Sequence, residues 1–155
     1  MMIIGFDIGQ KGGIAILDKK ITVQPMPLLD KKTIDWSRVS YILEDANPEL
    51  VVFESVYPPP NLTASMNLGK QAGIIEGMCI YGGISYVIAR PQVWKARVLK
   101  GLAWKKNKKM SIQYVQGKYP DLSLLPTDRC KVPSDGMADA VCLAEYGKQE
   151  QRGLF

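Results

Sequence analysis

The order of apolar runs in this chain predicts an α/β protein. Its core would be a mixed five-stranded sheet, an antiparallel meander extended by parallel strands, with helices on both faces. Three observations lead there. Short apolar runs separated by tight turns open the chain, between residues 2 and 26. Apolar strands then alternate with segments of helical periodicity. The 155 residues, 46% of them apolar, are enough for one packed core and too apolar for a disordered chain.

Met2-Ile3-Ile4-Gly5-Phe6-Asp7 is a nearly continuous apolar run, as a strand covered on both faces requires. Gln10-Lys11-Gly12-Gly13 is a turn, Ile14 to Leu17 a second strand, and Asp18-Lys19-Lys20 a turn into a third at Ile21 to Met26. Asp35 caps a helix from Trp36 to about Ala46, with Trp36, Val39, Ile42 and Leu43 at helical spacing and Asn47-Pro48 as its stop. Leu50 to Val56 is an apolar strand interrupted only by Glu54. Pro58-Pro59-Pro60 imposes an extended loop. A helix follows over Ala64 to Tyr81, ended by Gly82-Gly83, and then a short strand from Ser85 to Ala89. Two basic helical segments span Val93 to Lys100 and Lys106 to Lys118. Tyr119 to Pro133 is loop, and a last helix covers Ser134 to Gly147.

Composition narrows the chemistry. The chain has no histidine, which excludes Ser-His-Asp and Cys-His mechanisms within it. Acid–base work would fall to carboxylates, lysines or metal-bound water. Cys79, Cys130 and Cys142 are odd in number, far apart and without a CxxC pair, so neither a zinc site nor a disulfide framework is expected. No apolar run has membrane-spanning length, and the opening segment lacks the flanks of a signal peptide. A cytoplasmic protein without a membrane partner or an organic cofactor is expected.

Net charge is +5 and unevenly placed. Arg90 to Pro120 holds nine basic residues (Arg90, Lys95, Arg97, Lys100, Lys105, Lys106, Lys108, Lys109 and Lys118) and no acid. The remainder carries 11 basic and 15 acidic residues. A lysine run is usually a solvated helix face, but such a face mixes its signs. A segment without acids on an otherwise acidic body predicts an anion-binding surface, with Lys105, Lys106, Lys108 and Lys109 as phosphate contacts.

Four carboxylates stand where a simple globular chain would not place them. Asp7 ends the first apolar strand and Glu54 lies among Val51, Val52, Phe53 and Val56, where an unpaired charge is costly. Asp135 and Asp139, in Ser134-Asp135-Gly136-Met137-Ala138-Asp139-Ala140, are four apart on one helix face and repel each other. Gly136, Ala138 and Ala140 would leave that face open, while Met137, Ala140, Val141 and Ala144 form an apolar stripe for the sheet. Each has a plain structural alternative: a turn residue for Asp7, an edge position for Glu54, an acidic first turn for the helical pair. Taken together, an all-oxygen set suits magnesium or manganese. Two such ions about 3.5–4 Å apart can activate water and stabilise the leaving oxygen of a phosphodiester.

These segments resemble the RuvC family of Holliday-junction resolvases. Gly5-Phe6-Asp7-Ile8-Gly9 is similar to the family's first motif, and Phe53-Glu54-Ser55-Val56-Tyr57 to its second. Asn67 to Gly73 resembles the helix after it, and Pro91, Trp94, Lys95, Gly101 and Lys109 fit the pattern before the last helix. Asp135-Gly136-Met137-Ala138-Asp139-Ala140 resembles the closing acidic motif. The resemblance implies one ribonuclease H-like nuclease domain over residues 1–155 that acts as a homodimer. It implies two-metal cutting of paired strands at a four-way DNA junction, with Mg2+, or Mn2+ in its place, held by Asp7, Glu54, Asp135 and Asp139. It also gives Lys95 and Lys109 places near the scissile phosphate and DNA backbone, and Tyr57 the place of an aromatic that stacks on a base. The four-residue spacing of the last aspartates, where many cellular members have three, and Leu143-Ala144-Glu145-Tyr146 look more like the compact phage-encoded branch. The long second helix is the expected dimer interface, through a stripe including Leu68, Ile75 and Cys79.

Three other readings are compatible with parts of the chain. An actin-like kinase would use Asp7 to Gly13 as a phosphate loop, but it needs a second such domain. A non-catalytic junction binder would keep the basic segment without using the carboxylates. A RuvC-like nuclease of ribosomal RNA maturation would act on structured RNA.

Overall fold

The computed structural model describes residues 1–56, 61–102 and 110–153. Its sheet is built from β1 (Ile3–Asp7), β2 (Gly13–Leu17), β3 (Ile21–Pro25), β4 (Leu50–Glu54) and β5 (Ser85–Ala89). The helices are α1 (Trp36–Ala46), α2 (Leu62–Gly82), α3 (Pro91–Val98), α4 (Met110–Lys118) and α5 (Asp135–Arg152). The strand order is β3-β2-β1-β4-β5. β1, β2 and β3 pair antiparallel, and β4 and β5 extend the sheet in parallel with β1. The expected meander with parallel extension is therefore present.

Strand alternation separates two apolar layers. Ile3, Leu50, Val52 and Ala89 face one side, packed with Trp94 from α3, Val115 from α4 and most of α5. Ile4, Phe6, Val51 and Phe53 face the other, with Val39, Ile42 and Leu43 of α1 and Ile75 and Cys79 of α2. The central strands are apolar at nearly every position because both faces are covered.

Glycine sets how closely α5 lies on the sheet. A β-carbon on Gly5 would stand 2.1 Å from the carbonyl oxygen of Ala140, so the helix backbone rides directly on β1. That crowding also corrects the expectation for Gly136, Ala138 and Ala140. All three are buried against neighbouring chain rather than leaving an open face.

Other boundaries differ for local reasons. β4 ends at Glu54, so Glu54 closes the strand instead of interrupting it; only the Ser55 N–H continues, donating to the carbonyl of Ala89 at 2.8 Å. α2 starts two residues early because the Asn61 side chain accepts from the backbone N–H groups of Thr63 and Ala64. α3 starts at Pro91, whose missing N–H costs nothing in a first turn. α5 runs five residues past Gly147, because that glycine is a packing position: a β-carbon there would meet Val52 Cγ2 at 2.7 Å. α4 begins at Met110, and its expected start at Lys106 lies outside the described residues.

The apolar stripe of α2 is real but faces inward. Ile75 and Cys79 are fully buried against the protein's own sheet, so they are unavailable to a partner. The outward face instead carries Leu62, Met66 and Ile80, all well exposed, with Gly69, Gly73 and Gly77 between them. Among the described residues no helix is long and apolar enough to cross a membrane.

Candidate active site

Asp7 and Glu54 are the last residues of neighbouring parallel strands, one step beyond the paired Phe6 and Phe53. In that register they project to the same face, the one that α5 covers. α5 enters at this end of the sheet. Its first turn is capped by Ser134, whose hydroxyl accepts from the Met137 N–H at 3.2 Å. Gly12 and Gly136 form a parallel bridge that ties the turn after β1 to that same first turn. The two strand carboxylates and the Asp135/Asp139 pair therefore gather at the C-terminal ends of the central strands.

Asp7 and Asp139 each feel the charge of Glu54 and Asp135. Burial, then the charges of Asp139 and Glu54, push the Asp7 carboxyl up to about 8, with Asp135 adding to the effect and Lys95 opposing it. Burial also raises Asp139, further helped by Glu54 and Asp135, while a hydrogen bond from Ser111 and the charge of Lys95 pull it down. Lys95 of α3 thus acts on both half-buried aspartates. Asp135 is exposed at the rim. Among the described residues, no three acidic side chains stand close enough to hold an ion as they are. The donor set is nevertheless all oxygen, and its excess negative charge is what a divalent cation relieves. On those grounds the four residues fit a hard metal ion.

Two neutral groups that the sequence did not single out for this role stand against the carboxylates. The Trp94 indole N–H donates to Oε2 of Glu54 at 2.8 Å, and Trp94 is completely buried. Ser111 of α4, also buried, lies beside Asp139 and favours its charged form. The available signal for Trp94 was a single large aromatic in an otherwise basic, weakly apolar helix.

The basic segment divides. Arg97 pairs with Glu150, and Lys118 pairs with Glu145 at 2.5 Å, so two of the nine cations are neutralised by α5. That corrects the reading of the whole stretch as one anion-binding surface. Lys95 faces the carboxylates. Lys105, Lys106, Lys108, Lys109 and Tyr57 lie outside the described residues.

No family model and no curated protein matches the chain. Solved structures do. Thermus thermophilus RuvC in complex with a Holliday junction substrate superposes with a TM-score of 0.66 at 16% identity, over 99% of this chain and 96% of that one. The yeast mitochondrial Holliday junction resolvase gives 0.65 at 15% identity, over 98% and 79%. The fowlpox virus resolvase with junction DNA gives 0.63 at 19% identity, over 97% and 99%. The fold of this chain is the RuvC-like, ribonuclease H-like fold of these resolvases.

Proposed function

We propose that residues 1–155 work as one nuclease domain that resolves four-way and related branched DNA, as a magnesium-dependent endodeoxyribonuclease. The observation that carries this reading is the gathering of Asp7, Glu54, Asp135 and Asp139 at the C-terminal ends of the central strands β1 and β4, with Lys95 beside them, in a fold whose solved neighbours are junction resolvases. Mg2+ or Mn2+ held by those four carboxylates supplies the Lewis acidity that activates water and stabilises the leaving oxygen.

The chain's own residues do the rest. Asp7 and Glu54 are held on adjacent strand ends, so their spacing is set by the sheet rather than by a loop. Asp139 adds a third carboxylate from α5, and Asp135 stands at the exposed rim where substrate arrives. Lys95 offsets part of the negative charge that an approaching phosphate would otherwise meet. Lys105, Lys106, Lys108 and Lys109 bind the DNA backbone, Lys95 and Lys109 act near the scissile phosphate, and Tyr57 stacks on a base at the opened branch point.

Resolution takes two symmetric cuts and each chain brings one set of carboxylates, so the working form is a two-fold homodimer. The outward face of α2 supports this. Leu62, Met66 and Ile80 lie on one side, and β-carbons at Gly69, Gly73 and Gly77 would meet nothing within 4 Å, which leaves a flat surface for a second copy.

A substrate panel tests the assignment. In Mg2+ the protein should nick opposing strands of a synthetic four-way junction and leave linear duplex and structured RNA intact. Preferential cutting of RNA would assign it to RNA maturation, and tight junction binding without cutting would make it a binding protein.

A further inference from the structure

We infer that Trp94 is a positioning residue for Glu54: its indole N–H fixes one carboxylate oxygen and leaves the other directed to the site. This deepens the reading above and rests on it. The geometry is direct. Nε1 of Trp94 lies 2.8 Å from Oε2 of Glu54, across 40 residues of sequence, and the indole is fully enclosed by the core between α3 and the sheet. Tryptophan has a single donor and no acceptor, and a buried indole N–H without a partner is costly. The bond therefore constrains both sides: Glu54 satisfies Trp94, and Trp94 removes the rotational freedom of the Glu54 carboxylate.

The chemistry of the donor matters. An arginine or lysine at this place would orient Glu54 equally well but would cancel its charge and compete with a cation. A neutral N–H orients the group while leaving its full negative charge. The cation of this helix that acts on the site is placed one residue on, while Arg97 pairs with Glu150. Lys95 Nζ stands 5.1 Å from the Trp94 ring centroid and acts on Asp7 and Asp139. Two consecutive residues of α3 thus divide the work, Trp94 orienting and Lys95 balancing charge. Partners of metal-binding groups affect metal affinity or activity by about 10- to 100-fold when lost.

The test replaces only the N–H. Site-specific incorporation of benzothienylalanine at Trp94 keeps the bicyclic shape and substitutes sulfur for the N–H; Trp94→Phe is the encoded companion. Manganese binding to the free protein is followed by loss of the free-ion EPR signal, which needs no substrate. Junction cleavage is followed in parallel as a function of Mg2+ concentration. We expect the analogue to melt within a few degrees of wild type and to bind junction equally in Ca2+. Its Mn2+ affinity should fall about tenfold or more, and half-maximal cleavage should require correspondingly more Mg2+. Unchanged Mn2+ affinity and an unchanged Mg2+ profile in a folded analogue would overturn the role of Trp94. A wild-type protein that cuts no junction would overturn the nuclease reading instead, and the manganese titration would still decide the question for Trp94.

Discussion

Asp7 and Gly136 are packed so closely that a β-carbon on Gly136 would stand 2.8 Å from Oδ2 of Asp7 and 2.1 Å from the carbonyl oxygen of Lys11. Backbone cannot yield as a flexible side chain can, so Gly136→Ala must displace the first turn of α5, which carries Asp135 and leads to Asp139. Overpacking of this kind costs about 1–3 kcal/mol. Denaturant titration should show that loss, and junction cleavage should fall with it. Gly117→Ala, in α4 where a β-carbon meets nothing within 4 Å, should instead gain up to about 1 kcal/mol and leave cleavage unchanged.

The raised Asp7 carboxyl makes stability depend on pH in a definite direction. Between its ordinary value of 3.8 and about 8, the folded protein keeps a proton that the unfolded chain has lost. Without divalent ions, stability should therefore fall as pH rises through that window and level off above it. Asp139, raised for the same leading reason, adds to the slope. Thermal melts from pH 5 to pH 8.5 check this. Asp7→Asn should flatten the profile and melt higher than wild type at pH 8, while added Mg2+ should raise wild type more than the variant.

Glu145 is a buried carboxylate outside the site, held by Lys118 and by the Tyr119 hydroxyl. Its partner Lys118 is partly exposed. Removing the lysine strands a buried charge, whereas removing the charge leaves a lysine that water can reach. Lys118→Met should thus cost more than Glu145→Gln; its own loss should be at most about 3–5 kcal/mol, with the bond from Tyr119 keeping it towards the lower end. Chemical denaturation of the two variants reads the order directly.

The same pairing separates structural from DNA-binding cations. Junction affinity should decline steeply with salt, and replacing Lys105 and Lys106 with alanine should reduce the slope of log affinity against log salt by about one for each lost phosphate contact. Arg97→Ala and Lys118→Met should leave the slope unchanged, because α5 carboxylates already neutralise those two side chains. Fluorescence anisotropy with labelled junction across a salt series distinguishes the two groups.

Much of this architecture was legible in local signals. α1 matches its expected bounds because Asp35 caps its start and Asn47 ends it in a left-handed conformation. β5 does so because Gly83 stops α2 just before it. Glu54 and Asp7 drew attention because a charge among apolar neighbours needs a reason. What escaped depends on contacts between distant residues. The inward orientation of the Ile75 and Cys79 stripe follows from where β4 and β5 lie, which the helix alone does not encode. Gly147 resembled a helix stop but is small because Val52 and Ile3 leave no room. The bond from Trp94 to Glu54 joins residues 40 apart and left no spacing pattern to read.

Cleavage of a labelled four-way junction by wild type and by Glu54→Gln tests the central claim most directly. The amide keeps the shape of Glu54 but cannot bind a divalent ion as a carboxylate does. In Mg2+, wild type should introduce paired nicks in opposing strands. Glu54→Gln should bind the junction with unchanged affinity in Ca2+ and cut more slowly by about 100-fold or more, exceeding the loss typical of a ligand's hydrogen-bond partner. Cutting by Glu54→Gln at the wild-type rate would contradict a metal-dependent site built on Asp7, Glu54, Asp135 and Asp139.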